Sequence, residues 1–238
     1  MAKARTQVAP ADPVPSDRKG RLDEALRKRI LSMELAPGAV VDELTLAEEF
    51  GLSRPPVREL MRQLSAEGYL ELEPNRPARV SAMSHHSLRA FFLAAPMLYV
   101  ATAQLAASNA SAAEIARLKT IQLRFRDAID SGDTLERVRQ NDRFHHEIGL
   151  AAHNDYLMPS LRRLLLDHAR LGMTFYRDPP SADMAESLVV AVEQHDQIIE
   201  AIERHDAEGV GELMRAHMEL SRRRMAEYAA PDGMDVPL

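Results

Sequence analysis

The sequence predicts a mainly α-helical fold in two parts: three short helices closed by a small β-hairpin, then a six-helix antiparallel bundle. Three observations carry this expectation. Apolar residues recur at three- and four-residue spacing through most of the chain, the mark of helices with one buried face. Strand-like alternation is confined to Tyr69–Ser81. Between the periodic stretches stand Gly, Pro, Asn, Ser and Asp, the residues of turns and helix caps.

The chain has 238 residues, enough for one large domain or two small ones, each with its own core. The absence of cysteine excludes a disulfide scaffold, a thiolate zinc finger, an iron–sulfur centre and a cysteine nucleophile. It fits a reducing cytoplasm. A net charge of −6, from 30 Lys+Arg and 36 Asp+Glu, argues on the whole against a basic nucleic-acid binder. The sum hides an asymmetry. Residues 1–82 carry 13 basic and 13 acidic residues, and the remainder carries 17 and 23. The acidity therefore belongs to the C-terminal two-thirds, and the N-terminal third is free to approach an anion.

Residues 1–20, with Pro10, Pro13 and Pro15 among charges, read as a disordered leader. Residues 21–34 place Leu22, Leu26, Ile30 and Leu31 on one helical face,. Pro37-Gly38 makes a turn. Thr45 and Glu48 have capping-box spacing for a short second helix that Gly51 stops,. Ser53 then caps a third helix whose first turn accepts Pro55 and Pro56,. A short helix, a glycine turn and a capped helix have helix-turn-helix spacing. On the third helix Arg54, Arg58 and Arg62 share one face, and Val57, Leu60, Met61 and Leu64 the other. An arginine ridge at the start of such a helix suits a major groove, where guanidinium forks match guanine edges or phosphates. The hairpin follows, with strands at Tyr69–Leu72 and Ala78–Ser81 and with Arg76 and Arg79 near its tip. It reads as a wing.

Leu35-x-Pro-Gly38, Leu44-x-Leu-Ala-Glu-x-Phe-Gly51, Leu-Ser-Arg-Pro-Pro-Val-Arg58 and Leu-x-x-Glu-Gly68 together resemble the winged helix of GntR-family bacterial transcription regulators. The resemblance implies operator DNA as partner, with Arg54 and Arg58 as main contacts and Ser53 and Arg62 in support. Two positions depart from the family pattern. Pro77 stands where the wing usually has glycine, and Leu44 where some members carry a DNA-contacting arginine.

From Ser84 to Ala229 the pattern gives helices over approximately 86–108, 111–131, 133–153, 155–177, 182–205 and 206–229. This part is an all-helical bundle. The apolar run Phe91–Ala107 is broken by Pro96, Thr102 and Gln104 and falls short of about 20 apolar residues, so a buried helix is expected and no membrane span. Polar residues interrupt three apolar stripes: Asn141 and His145 on the third bundle helix, His195 on the fifth and His217 on the sixth. A buried polar group without a partner costs about 1–3 kcal/mol, so four in one core need a common explanation. A shared divalent metal supplies one, because neutral imidazole is a common ligand and an amide oxygen can complete the shell. Separate hydrogen bonds in the core are the alternative.

Asn-Asp-Arg-Phe-His145 with Asn154, then Glu193-x-His195 with Ala201-Ile202, then His217, resemble the FadR-type (FCD) effector domain of GntR regulators. That resemblance implies metal ligands at Asn141, His145, His195 and His217, zinc or nickel as the ion, and a homodimer. Three neutral imidazoles and an amide leave the ion's charge uncompensated, which favours a small carboxylate effector. Tyr99, His168, Arg170 and Tyr176 are the candidate pocket residues. Many members carry an Arg and a Glu one turn apart on the first bundle helix, where this chain has Ala95 and Tyr99. The expected organisation is a leader at 1–20, a DNA-binding domain at 21–82, an effector-binding and dimerisation domain at 84–229 and a flexible tail at 230–238. The expected function is a cytoplasmic, metabolite-responsive regulator and no enzyme. Its rivals are a regulator with a purely structural metal and a helical metal-dependent enzyme fused to a DNA-binding head.

Overall fold

The computed structural model describes residues 15–175 and 182–229. The N-terminal head holds α1 (Pro15–Leu31), β1 (Val40–Val41), α2 (Glu43–Phe50), α3 (Arg54–Ala66), β2 (Leu70–Glu71) and β3 (Ala78–Val80). Helix α1 begins at Pro15, inside the stretch 1–20 expected to be disordered. The reason is local: its apolar face only starts at Leu22, so nothing in the polar turn before it marks a helix. The hairpin β2–β3 lies where the alternation placed it, with Leu70 opposite Val80 and Glu71 opposite Arg79. Strand β1 was not foreseen. It pairs antiparallel with β3 and makes a three-stranded sheet in the order β1-β3-β2.

The helix-turn-helix differs from expectation at both of its helix caps. Asp42, not Thr45, caps α2, its carboxylate accepting from the Thr45 N–H at 2.7 Å and the Thr45 hydroxyl at 2.9 Å. The helix therefore starts earlier, at Glu43, while Gly51 ends it with φ 60°, a conformation glycine adopts without strain. Ser53 holds the N-cap position of α3, but its side chain makes no capping hydrogen bond. Leu22, Leu26 and Ile30 of α1 pack on Val57, Leu60 and Leu64 of α3, and Leu46, Leu70 and Val80 close the same core.

The bundle holds α4 (His85–Asn109), α5 (Ala112–Asp130), α6 (Thr134–Ala151), α7 (Met158–Phe175), α8 (Ala182–Glu203) and α9 (Ala207–Ala229). Each break among the described residues has the expected chemistry. Ser111 and Glu114 form a full capping box, Gly132 turns at φ 70°, Asp133 caps α6, Asn154 accepts from the Tyr156 and Leu157 N–H groups, and Asp206 accepts from the Gly209 N–H. The stretch His86–Asn109 of α4, 24 residues with mean hydropathy 1.6, is long and apolar enough to cross a membrane by length and composition. Its inner face is core: Phe91, Ala95, Tyr99, Ala103 and Ala107 pack against Phe144, Ile148, Ile202 and Met214.

Head and bundle meet along α7. Leu166 of α7 belongs to the hydrophobic core of the head. Arg170 is fully buried and donates to the Ser81 carbonyl, in the connection between β3 and α4, at 2.6 Å. Gly68, at φ 87°, accepts the Arg163 side chain so closely that a Cβ there would lie 2.5 Å from Arg163 Cδ.

Candidate DNA-binding face and metal centre

Helix α3 presents Arg54, Arg58 and Arg62 on its solvent side and buries Val57, Leu60, Met61 and Leu64. Glu43, which the sequence reading missed, organises the ridge. Its Oε1 lies 2.7 Å from Arg54 Nε and 2.9 Å from Arg58 Nη2, and its Oε2 accepts from Arg58 Nε at 2.9 Å. Only the α2 start at Glu43 brings this carboxylate to the N-terminal end of α3, so the misplaced cap concealed it. The two guanidiniums hold its carboxyl below the ordinary range, Arg58 more strongly. Arg54 is bound through Nε alone, which leaves its terminal nitrogens clear of Glu43. On the wing, Arg76 pairs with Glu73 at 2.5 Å, and Arg79 donates to the Gly38 carbonyl at 2.8 Å.

This geometry makes Glu43 a brace and also a competitor for DNA phosphate. Glu43→Gln is expected to raise affinity for unrelated DNA and to lower the ratio of operator to non-specific binding, on the order of tenfold, because a repulsive charge and an ordered fork are lost together. Competition gel shifts at fixed salt measure that ratio, and an unchanged ratio removes Glu43 from the recognition apparatus.

Inside the bundle His145, His195 and His217 converge from α6, α8 and α9, all buried, with one ring nitrogen of each within 4.8 Å of the others. Phe144 stacks on His195 with centroids 3.9 Å apart and orients that ring. Gln122 and Gln194 fix the protonation pattern. His195 Nδ1 meets Gln122 Oε1 at 3.0 Å, and His217 Nδ1 meets Gln194 Oε1 at 2.9 Å. The Gln122 amide nitrogen is committed to the Val192 carbonyl at 2.9 Å, so its oxygen must face His195. An amide oxygen only accepts, so each Nδ1 carries the proton and each Nε2 presents a lone pair. Those two Nε2 atoms face each other at 3.3 Å.

Two lone pairs at that distance repel unless a cation lies between or beside them. Both nitrogens of His145 are buried with no hydrogen-bond partner. Burial lowers the pKa of all three rings, that of His217 to about 3, so they stand neutral, the form that ligates. The donor set therefore fits a divalent metal. Asn141 is half-buried one turn before His145 on the same helix. Gln122 interrupts an apolar stripe between Leu118 and Phe125, the same signal that singled out the histidines. Gln194 lies off the His195 stripe, so periodicity gives no sign of it.

The candidate pocket residues separate. The Tyr99 hydroxyl lies 2.9 Å from His168 Nδ1, both are buried, and the Tyr99 ring lies 4.8 Å from that of His145. Arg170 is not with them. Two residues along α7 from His168, it points to the head and the Ser81 carbonyl. Tyr176 lies outside the described residues.

Asp142, adjacent to Asn141, lies where head and bundle meet. Burial pushes its carboxyl up to about 7, against the opposing pull of Arg143. An unfolded carboxylate titrates near pH 4. Folding therefore takes up a proton between those values: this group opposes folding increasingly as pH rises from about 4 to about 7, and constantly above. Asp142→Asn is expected to raise stability at about pH 8 by on the order of 2 kcal/mol and to leave it unchanged near pH 4. Thermal melts of chelator-treated protein at the two pH values test this, and equal melting of variant and wild type at both rules it out.

A winged helix with an exposed arginine ridge, joined to a helical domain with an interior histidine cluster, defines a DNA-binding transcription regulator. The family model for bacterial regulatory proteins of the gntR family matches residues 18–80, and the FCD domain model matches residues 96–220. The chain belongs to the GntR family, in its FadR-type FCD subgroup. It is 24% identical over 216 residues to the HTH-type transcriptional repressor RspR of Escherichia coli, covering 90% of each chain. It is 28% identical over 182 residues to a probable D-xylose utilization operon transcriptional repressor of Paenarthrobacter nicotinovorans, covering 76% of each. Among solved structures, E. coli McbR/YncC shares the fold with a TM-score of 0.76 at 20% identity, over 90% of this chain and 99% of that one.

Proposed function

We propose that the protein is a metabolite-responsive, cytoplasmic transcription regulator that binds a palindromic operator as a homodimer. In this reading Asn141, His145, His195 and His217 hold a zinc or nickel ion, and a small carboxylate is the effector. The observation that carries it is the meeting of His195 Nε2 and His217 Nε2 at 3.3 Å beside the unpartnered nitrogens of His145. Bound there, the metal would supply an uncompensated positive charge for an anionic ligand. Ser53, Arg54, Arg58 and Arg62 would meet the operator, with Arg76 and Arg79 on the flanking wing.

Tyr99 and His168 supply the polar groups that orient the effector beside His145. His168 shares α7 with Leu166 and Arg170, which anchor the head. A ligand that draws on His168 thus acts on the helix that carries the head. The effector must prefer one arrangement by about 1–3 kcal/mol for ordinary allosteric coupling. The dimer reading rests on α4, whose outer side leaves Leu93 54% and Met97 73% exposed one turn apart, an apolar stripe suited to its own copy across a two-fold axis.

The test is operator affinity of the metal-loaded protein, on DNA from its own promoter region, across a panel of small mono- and dicarboxylates. One acid should change affinity by at least fivefold, the low end of ordinary coupling. A flat response across the panel, with metal bound, defeats the effector reading.

A further inference from the structure

Between head and bundle lies a cleft of about 780 Å³, walled by α1, the end of α3, α6 and α7. Its volume is in the range of small-molecule sites. Part of its wall is apolar, from Leu31, Leu165 and Leu166. Four arginines also line it, and they fall into two pairs. Arg27 is committed to Glu67 at 2.5 Å, to Asp23 at 2.8 Å and to the face of Tyr69. Arg163 is committed to Asp167 at 3.0 Å. Arg143 and Arg162, by contrast, have no ion pair among the described residues.

Both stand on helices of the acidic part of the chain, where carboxylates outnumber cations. Both line the cleft together with half-buried His146 and the carboxylates Glu67 and Asp142. Glu67 is already held by Arg27, which leaves Asp142 as the other carboxylate of the lining. These arginines do not serve the DNA face. The cleft uses Ala66 and Glu67 at the C-terminal end of α3, about 18 Å along that helix from Arg54,.

We propose that this cleft is a second ligand site, for a small organic oxyanion, either a phosphate monoester or a polycarboxylate. Arg143 and Arg162 grip the anionic group through their guanidinium forks, His146 adds a ring nitrogen for a hydrogen bond, and the apolar wall takes the organic body,. The site does not depend on the metal centre. Because its walls come from both parts of the molecule, its ligand favours the arrangement in which the head is docked on α7.

Isothermal titration of the full-length chain in excess chelator tests the proposal, with glucose 6-phosphate, citrate and glucose as probes. At least one anion is expected to bind and glucose is not, and the anion that binds distinguishes a phosphate from a carboxylate ligand. An Arg143→Gln, Arg162→Gln variant, with its fold checked by circular dichroism, should bind that anion at least tenfold more weakly. The proposal is overturned if neither anion binds at millimolar concentration, if glucose binds as well as the anions, or if the folded variant binds as tightly as wild type.

Discussion

With His195 and His217 both replaced by alanine, the purified protein is expected to carry no stoichiometric divalent metal and to lose the thermal stabilisation that added zinc or nickel gives wild type. In the wild-type interior the two rings are held by Gln122 and Gln194, so that their Nε2 lone pairs meet at 3.3 Å. Ligand binding to the native state alone adds roughly 4 kcal/mol at a thousandfold excess over the dissociation constant. A well-held ion would therefore give one of the largest single contributions to stability in the chain. In chelator the ordering of the two proteins is less one-sided. The alanines remove a lone-pair conflict, but they leave cavities and two glutamine oxygens without donors, at about 1–3 kcal/mol for each buried orphan. Wild type and variant should thus differ far more with metal than without it. Metal content by elemental analysis and melting curves with and without zinc and nickel check both halves. A folded double variant that keeps full metal content would sink the site.

The helical architecture was legible because the bundle helices carry apolar stripes and, at α4, α5 and α6, capping residues, and both are local features. The histidines were legible for the same reason, as polar interruptions in stripes that must be buried. What escaped is what tertiary packing creates. Strand β1 is two residues long and exists through its pairing with β3. Glu43 reads as an ordinary first-turn acid until the two helices are set side by side. Arg170 stands only two residues from the pocket residue His168, but two residues turn an α-helix by about 200°, so it faces the head. The half-buried setting of Asp142 arises where the head meets the bundle, which no periodicity encodes.

Arg54→Ala and Arg58→Ala are each expected to weaken operator binding by about 1–3 kcal/mol, the range for a bidentate base contact. Together they should do more than their sum. Glu43 now shares its charge between the two guanidiniums, its side chain 19% exposed against 61% for Arg54 and 50% for Arg58. Removing one arginine leaves the carboxylate paired with the other. Removing both leaves an uncompensated acid facing the phosphate backbone, a repulsion that neither single variant exposes. Adding Glu43→Gln to the double variant should recover that excess and nothing more, so a double-mutant cycle separates the lost contacts from the unmasked charge. The salt dependence of binding divides the roles further: loss of a phosphate contact flattens the slope, whereas loss of a base contact relaxes sequence preference at one position. If operator affinity is unchanged in both single variants, α3 does not enter the groove by this face.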